Sequence, residues 1–139
     1  MEKDRVKEIV DENYKNGFHC AETIVNTIYE LVGIKSNNES KFATGFCGGI
    51  GGCEQEVCGA ISGGVIAIGS LYGRTEGGCD ISKIINLTTE FRSLFIDRFN
   101  TTICKNLIDN LETMPQFNNC KDITAETALI LFKLIKAQD

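Results

Sequence analysis

GFCGGIGGCEQEVCGAISGGVIAIGSLYG, residues 45–73, carries ten of the chain's fourteen glycines and three of its seven cysteines. Its first half, residues 45–52, has too little side chain to hold a helix or a strand, and glycine lets a backbone take positive φ and approach another group closely. A shaped loop is expected there. The second half, residues 57–72, sets Ile61, Val65, Ile68 and Tyr72 on one helical face. Gly59, Ala60, Gly63, Gly64 and Ala67 form a flat side, which predicts a buried helix that its neighbours approach closely. Cys58 falls where loop becomes helix. The unpaired N–H groups and partial positive charge of a helix start favour a thiolate over a thiol, so a reactive or ligating sulfur is expected at that point.

The apolar run at residues 59–72 is fourteen residues long, short of the roughly 20 that span a bilayer, and Glu54, Glu56 and Arg74 flank it. It belongs to a core rather than a membrane. The chain start, MEKDRVKEIVDENYKNG, alternates charged and apolar residues and lacks the apolar region and cleavage site of a signal peptide, so a cytoplasmic location is expected. A length of 139 residues suits one domain over residues 1–139, large enough to bury a core without staples. The net charge of -5 and scattered basic residues give no field for a phosphate backbone, so nucleic-acid binding is not expected. Seven cysteines in 139 residues is about 5%, below the roughly 8–10% of a disulfide scaffold, and the count is odd. Reduced thiols, metal ligands or redox cysteines remain.

Outward from the central stretch the pattern is helical throughout. Val6, Ile9, Val10 and Tyr14 mark a first amphipathic helix over residues 3–15, ended by Asn16 and Gly17. Phe18, His19, Cys20 and Ala21 open a second, with Ile24, Val25, Ile28, Leu31 and Val32 inward and Gly33 at its end, so Cys20 sits in a first turn. His19 is the sole histidine. Adjacent helical residues point about 100° apart, so it reads as a surface or capping residue rather than the partner of Cys20. Ser36 and Glu39 match a capping box for a short third helix reaching about Thr44. Asp80 is placed to cap a long helix with Ile81, Ile84, Ile85, Thr88, Phe91, Leu94, Phe95 and Phe99 on its stripe. A short helix then begins near Thr101 and puts Cys104 in a first turn. A loop with Pro115 carries the chain to Cys120, and residues 124–136 form the last helix, with Ala128, Leu131, Phe132 and Ile135 inward. No alternating segment competes. The expectation is an all-α, single-domain bundle of about six to seven helices, with the glycine-rich loop before its central buried helix.

The cysteine spacings exclude more than they assert. No C-x2-C pair occurs, so zinc ribbons, thioredoxin-type dithiols and ferredoxin runs find no support, and without C-x-x-C-H there is no covalent c-type haem. Four cysteines gathered by folding still suit an iron-sulfur cluster or zinc, whereas buried free cysteines often act only as small hydrophobes. A hydrolase is hard to build: one histidine, no G-x-S-x-G and no H-E-x-x-H. Glu54 and Glu56 read as solvated charges near a helix start rather than an acid-base pair.

Cys20 beside Phe18 and His19, the run Cys58, Gly59, Ala60, Ile61, Ser62, Gly63, and the later Cys104 and Cys120 together resemble a family of redox-active proteins. That family is named for one cysteine, a C-G-A-x-x-G element and two further cysteines. The likeness extends over nearly the whole chain. It implies an all-helical protein that uses four cysteines for redox or metal chemistry. Cys47, Cys53 and Cys79 are extras to this pattern, and His19 stands where asparagine is more usual. On this footing Cys20, Cys58, Cys104 and Cys120 are the expected ligands of an iron-sulfur cluster used in electron transfer or redox sensing. The backbone N–H groups of Gly48, Gly49, Gly51, Gly52 and Gly59 would tune its potential. Zinc through the same sulfurs, and a metal-free thiol-disulfide protein with Cys58 as low-pKa nucleophile, are the alternatives, beside an interaction module with no chemistry. A redox partner protein is implied without being identified, no membrane insertion is expected, and self-association into a homo-oligomer is left open.

Overall fold

The computed structural model describes residues 1–138. Six α-helices follow in order: α1 (Glu2–Lys15), α2 (Cys20–Val32), α3 (Gly59–Tyr72), α4 (Ser82–Phe99), α5 (Cys104–Asn110) and α6 (Cys120–Lys136). Two 3-10 segments, Glu39–Phe46 and Leu111–Thr113, stand before α3 and after α5. Among the described residues there is no strand beyond a single antiparallel bridge between Val57 and Ile103. The all-α, single-bundle expectation holds. No helix among the described residues is long and apolar enough to cross a membrane.

The bundle is built around α3, which packs most extensively on α2 and also against α4 and α6. The small residues make this geometry. A Cβ on Gly63 would overlap the backbone of Ala21 in α2, and one on Gly64 would overlap the ring of Phe91 in α4. Two neighbours therefore seat directly on the α3 backbone. Val65, grouped with Ile61 and Ile68 on one face, turns to solvent at 40% exposure, whereas those two are buried together with the small-residue side of α3. Behind it lie the fully buried rings of Phe91, Phe95 and Phe99, one per turn of α4. Phe95 and Phe99 meet at 4.8 Å and Phe117 adds a third ring 5.2 Å from Phe99, tilted contacts that aromatic quadrupoles favour.

Several boundaries differ from the sequence reading for local reasons. Ser36 and Glu39 do not form a capping box: the Glu39 carboxylate takes the N–H of Asn37 instead, Asn38 turns left-handed at φ 70°, and a 3-10 segment follows. Asp80 does not sit at the cap position itself. Its Oδ1 accepts from the backbone N–H of Ser82 at 2.9 Å, and α4 begins at Ser82. On α4, Ile85 and Leu94 are exposed while Leu87, unremarked in the sequence, is buried. The last helix starts four residues before Thr124, because the Asn119 side chain accepts from the N–H of Asp122 at 3.1 Å and caps it there.

Candidate functional site

Each of the four cysteines in the recognised pattern stands at a helix start. Cys20, Cys104 and Cys120 are the first residues of α2, α5 and α6, and Cys58 is the N-cap of α3. The placement of Cys120 was not legible, since the sequence read it as the end of a loop. All four line one cavity of about 520 Å3, together with Cys47, His19, Glu54 and the backbone of Gly48, Gly51, Gly52 and Gly59. A Cβ on Gly59 would overlap the Cys20 sulfur, so the starts of α2 and α3 abut only because residue 59 has no side chain.

The glycine loop closes one wall. Gly48 and Gly49 take φ of +67° and +71°, the left-handed region, and a side chain on Gly49 would strike the Cβ of Cys104. The loop is then tied to the start of α5. The N–H groups of Cys104 and Lys105 donate to the carbonyls of Glu56 and Glu54 at 2.9 and 2.7 Å, and Cys58 N–H donates to Thr102 at 2.6 Å. These bonds carry Cys58 and Cys104 to the same cavity from 46 residues apart (104 − 58 = 46).

The amides expected to tune a bound group are fewer than the sequence suggested. Gly51 and Gly52 donate within the loop, to Gly45 and Cys47 at 2.8 and 3.1 Å. Gly49 does not line the cavity. Gly48 does, and its N–H is directed at the Cys20 sulfur.

The thiols titrate in two directions. Cys20 is held below the ordinary thiol range, chiefly because the Cys47 thiol donates to its sulfur, with the N–H groups of Gly48 and Ala21 helping against burial. Cys47 correspondingly keeps its proton and is pushed up, first by that same hydrogen bond and then by burial. Cys58 is pushed up to about 11, because burial outweighs the N–H groups of Ala60 and Ile61 at the start of α3. The expectation of a low-pKa thiol at Cys58 is thus corrected: a helix start lowers a cysteine only while its sulfur stays solvated or gains a donor. Cys104 and Cys120 are also raised, by burial first. The charges of Cys120 and Glu54 add to the shift at Cys104, and that of Glu54 to the shift at Cys120.

All seven cysteines are free thiols. Among the described residues no three cysteine sulfurs lie within 4.8 Å of one another, whereas four on one zinc, each about 2.3 Å from the metal, stand roughly 3.8 Å apart. The four sulfurs are therefore not gathered into a closed zinc knot. The raised thiols, each sensing its neighbours' charge, are a donor set that a cation or metal cluster would relieve. Of the extra cysteines, Cys47, whose role the sequence left open, lies beside Cys20. The only sequence signal for it was its position in the glycine loop. Cys53 donates to Gly49 O at 3.0 Å outside the cavity lining, and Cys79 is exposed on the loop before α4. Glu54 faces the cavity rather than bulk solvent alone.

No curated protein and no solved structure matches the chain. A family model described as "Putative redox-active protein (C_GCAxxG_C_C)" matches residues 18–134, from just before α2 to near the end of α6 and across every helix start that carries one of the four cysteines, and the chain belongs to that family.

Proposed function

We propose that this protein is an electron-transfer or redox-sensing protein in which Cys20, Cys58, Cys104 and Cys120 hold one iron-sulfur cluster. The observation that supports this best is the convergence of four helix starts, each bearing one of these cysteines, on a single cavity. The residues fit such a group. Four sulfurs are a full ligand set, no three cysteine sulfurs among the described residues are gathered as they would be on one zinc ion, and three of the four are raised thiols that a cationic centre would deprotonate. When bound, the cluster would supply one-electron chemistry. The chain's own part is to position the sulfurs, to direct the Gly48 N–H at Cys20, and to hold Glu54 near Cys104 and Cys120, where a negative charge lowers a reduction potential. Anaerobic purification or reconstitution followed by iron, sulfide and visible-absorption measurements tests this reading: a coloured protein with iron and sulfide in cluster ratio supports it, and a colourless, iron-free one contradicts it.

A second reading is favoured by the hydrogen bond between Cys47 and Cys20. It moves the metal-free thiol-disulfide alternative from Cys58 to Cys20. The Cys20 thiolate would attack a small-molecule disulfide, forming a mixed disulfide and releasing one thiolate; Cys47, on losing its proton, would then attack the Cys20 sulfur, forming the Cys20–Cys47 disulfide and releasing the second thiolate. The chain would lose two electrons and two protons, and the disulfide would become two thiols. A Cys20–Cys47 disulfide found by peptide mapping after incubation with oxidised glutathione supports this reading, and its absence contradicts it.

A further inference from the structure

Beside the cavity that His19 and Cys47 line, these two and Glu22 bring an imidazole nitrogen, a sulfur and a carboxylate oxygen within 4.8 Å of one another. We infer that these three side chains form a second metal site, separate from the four-cysteine set, which takes a single divalent ion of the zinc class. The donor set is the first reason: imidazole, carboxylate and thiolate are the three ligand types zinc accepts, and three protein ligands with one open position are a recurring zinc arrangement. Distance is the second. The Cys47 sulfur lies 3.7 Å from Glu22 Oε1, and tetrahedral zinc with sulfur at about 2.3 Å and oxygen at about 2.1 Å holds the pair roughly 3.6 Å apart. The separation of sulfur and carboxylate already has the span that a bridging ion needs.

The carboxylate is also prepared. Glu22 Oε2 accepts from the Thr44 hydroxyl at 2.9 Å, and Oε1 accepts from the His19 backbone N–H at 3.1 Å. Such outer partners fix a metal-ligating carboxylate in place before the ion arrives. The order of burial supplies an entry path, with His19 exposed, Glu22 half-buried and Cys47 buried. The ion would take the place of the thiol proton, which leaves as the S–M bond forms. None of Cys58, Cys104 and Cys120 contributes, so the site stands whether or not the iron-sulfur reading does.

The test is Zn2+ titrated, against a chromophoric chelator, into the reduced protein carrying Cys58→Ser and Cys104→Ser, which cannot assemble a four-thiolate centre. One ion per chain is expected. Binding should weaken at least tenfold on adding His19→Gln, and likewise on adding Cys47→Ser. Unchanged affinity in both would overturn the site. If circular dichroism finds the double-serine background unfolded, the comparison is made in the unsubstituted chain with His19→Gln, an exposed position whose exchange leaves the core alone. There the zinc content at saturation should fall by one ion per chain; an equal content overturns the inference. Iron and sulfide content should not change with His19→Gln, which separates failure of this site from failure of the cluster.

Discussion

The starts of α2 and α3 touch, face the same cavity and each present a cysteine, yet they treat their sulfurs in opposite ways. At α2, Cys20 is half-buried, receives the Cys47 thiol and the Gly48 N–H, and is held below the ordinary range. At α3, Cys58 is buried among core residues, senses the charges of Cys104 and Cys120, and rises to about 11. The helix-terminal charge is common to both. What separates them is whether a donor or hydrocarbon surrounds the sulfur: Cys20 is lowered chiefly by the Cys47 thiol, 27 residues on, while burial outweighs the local N–H groups at Cys58 (47 − 20 = 27). One cavity thus offers a sulfur held low at Cys20 and raised thiols at Cys58, Cys104 and Cys120, which need a metal or an oxidant to give up their protons.

The substitution that breaks this contrast most completely is Gly63→Val, which drives a branched side chain into the backbone of Ala21 and parts the two helices. Overpacking of this kind costs about 3 kcal/mol, which in a chain of this size lowers the melting temperature by roughly 10 °C. Differential scanning calorimetry reads the shift. An unchanged Tm would mean that α2 and α3 are not in contact at residue 63.

The contrast itself is measured by alkylation. A thiol raised from 9.0 to about 11 has roughly a hundredfold less thiolate at pH 8 than an unperturbed one, and Cys58 is shielded besides. In the metal-free, reduced protein, iodoacetamide followed by peptide mass spectrometry should label Cys20 at least a hundredfold faster than Cys58. Faster labelling of Cys58 would reverse the assignment.

Stability against pH gives the same asymmetry a thermodynamic form. Because the folded-state pKa of Cys58 lies above its unfolded value, its contribution is complete below pH 9 and is lost as pH rises through about 11. The loss over that window is roughly 2 kcal/mol. Denaturant titrations from pH 8 to 11 should show a decline that is shallower by about that amount in Cys58→Ser.

The smallest effect sharpens the comparison at the other sulfur. Cys47→Ala removes the donor that holds Cys20 low, and alkylation of Cys20 at pH 7 should slow about tenfold, the size of one lost charge-assisted hydrogen bond. Cys47→Ser, which keeps a donor, should slow it less. Equal rates in all three proteins would leave the helix start as the cause.

These outcomes bear on what was legible beforehand. Helical periodicity identified five of the six helices, as with Phe91, Phe95 and Phe99 at helical spacing and the small residues of α3, while the short α5 was read from a cap-like start at Thr101. The glycine pattern of residues 59–64 also foretold close helix packing on the small side, although Val65, grouped with Ile61 and Ile68, is exposed. Helix ends were less legible: Asn119 was not read as a cap, so Cys120 was left in a loop. The membership of the cavity was legible only through the recognised four-cysteine pattern. Charge states were not legible, because a pKa depends on what folding brings near. Nothing local to Cys58 announces its burial, and nothing local to Cys47 announces Cys20.

The central claim is that four of the seven sulfurs act as one ligand set. Iron content per chain after anaerobic reconstitution, measured across seven single Cys→Ser variants, tests it most directly. Serine at Cys20, Cys58, Cys104 or Cys120 should each abolish or severely reduce bound iron, while serine at Cys79, exposed on its loop, and at Cys53, outside the cavity lining, should leave it at the wild-type level. Full iron retention in Cys58→Ser, or equal loss in all seven, would contradict the claim.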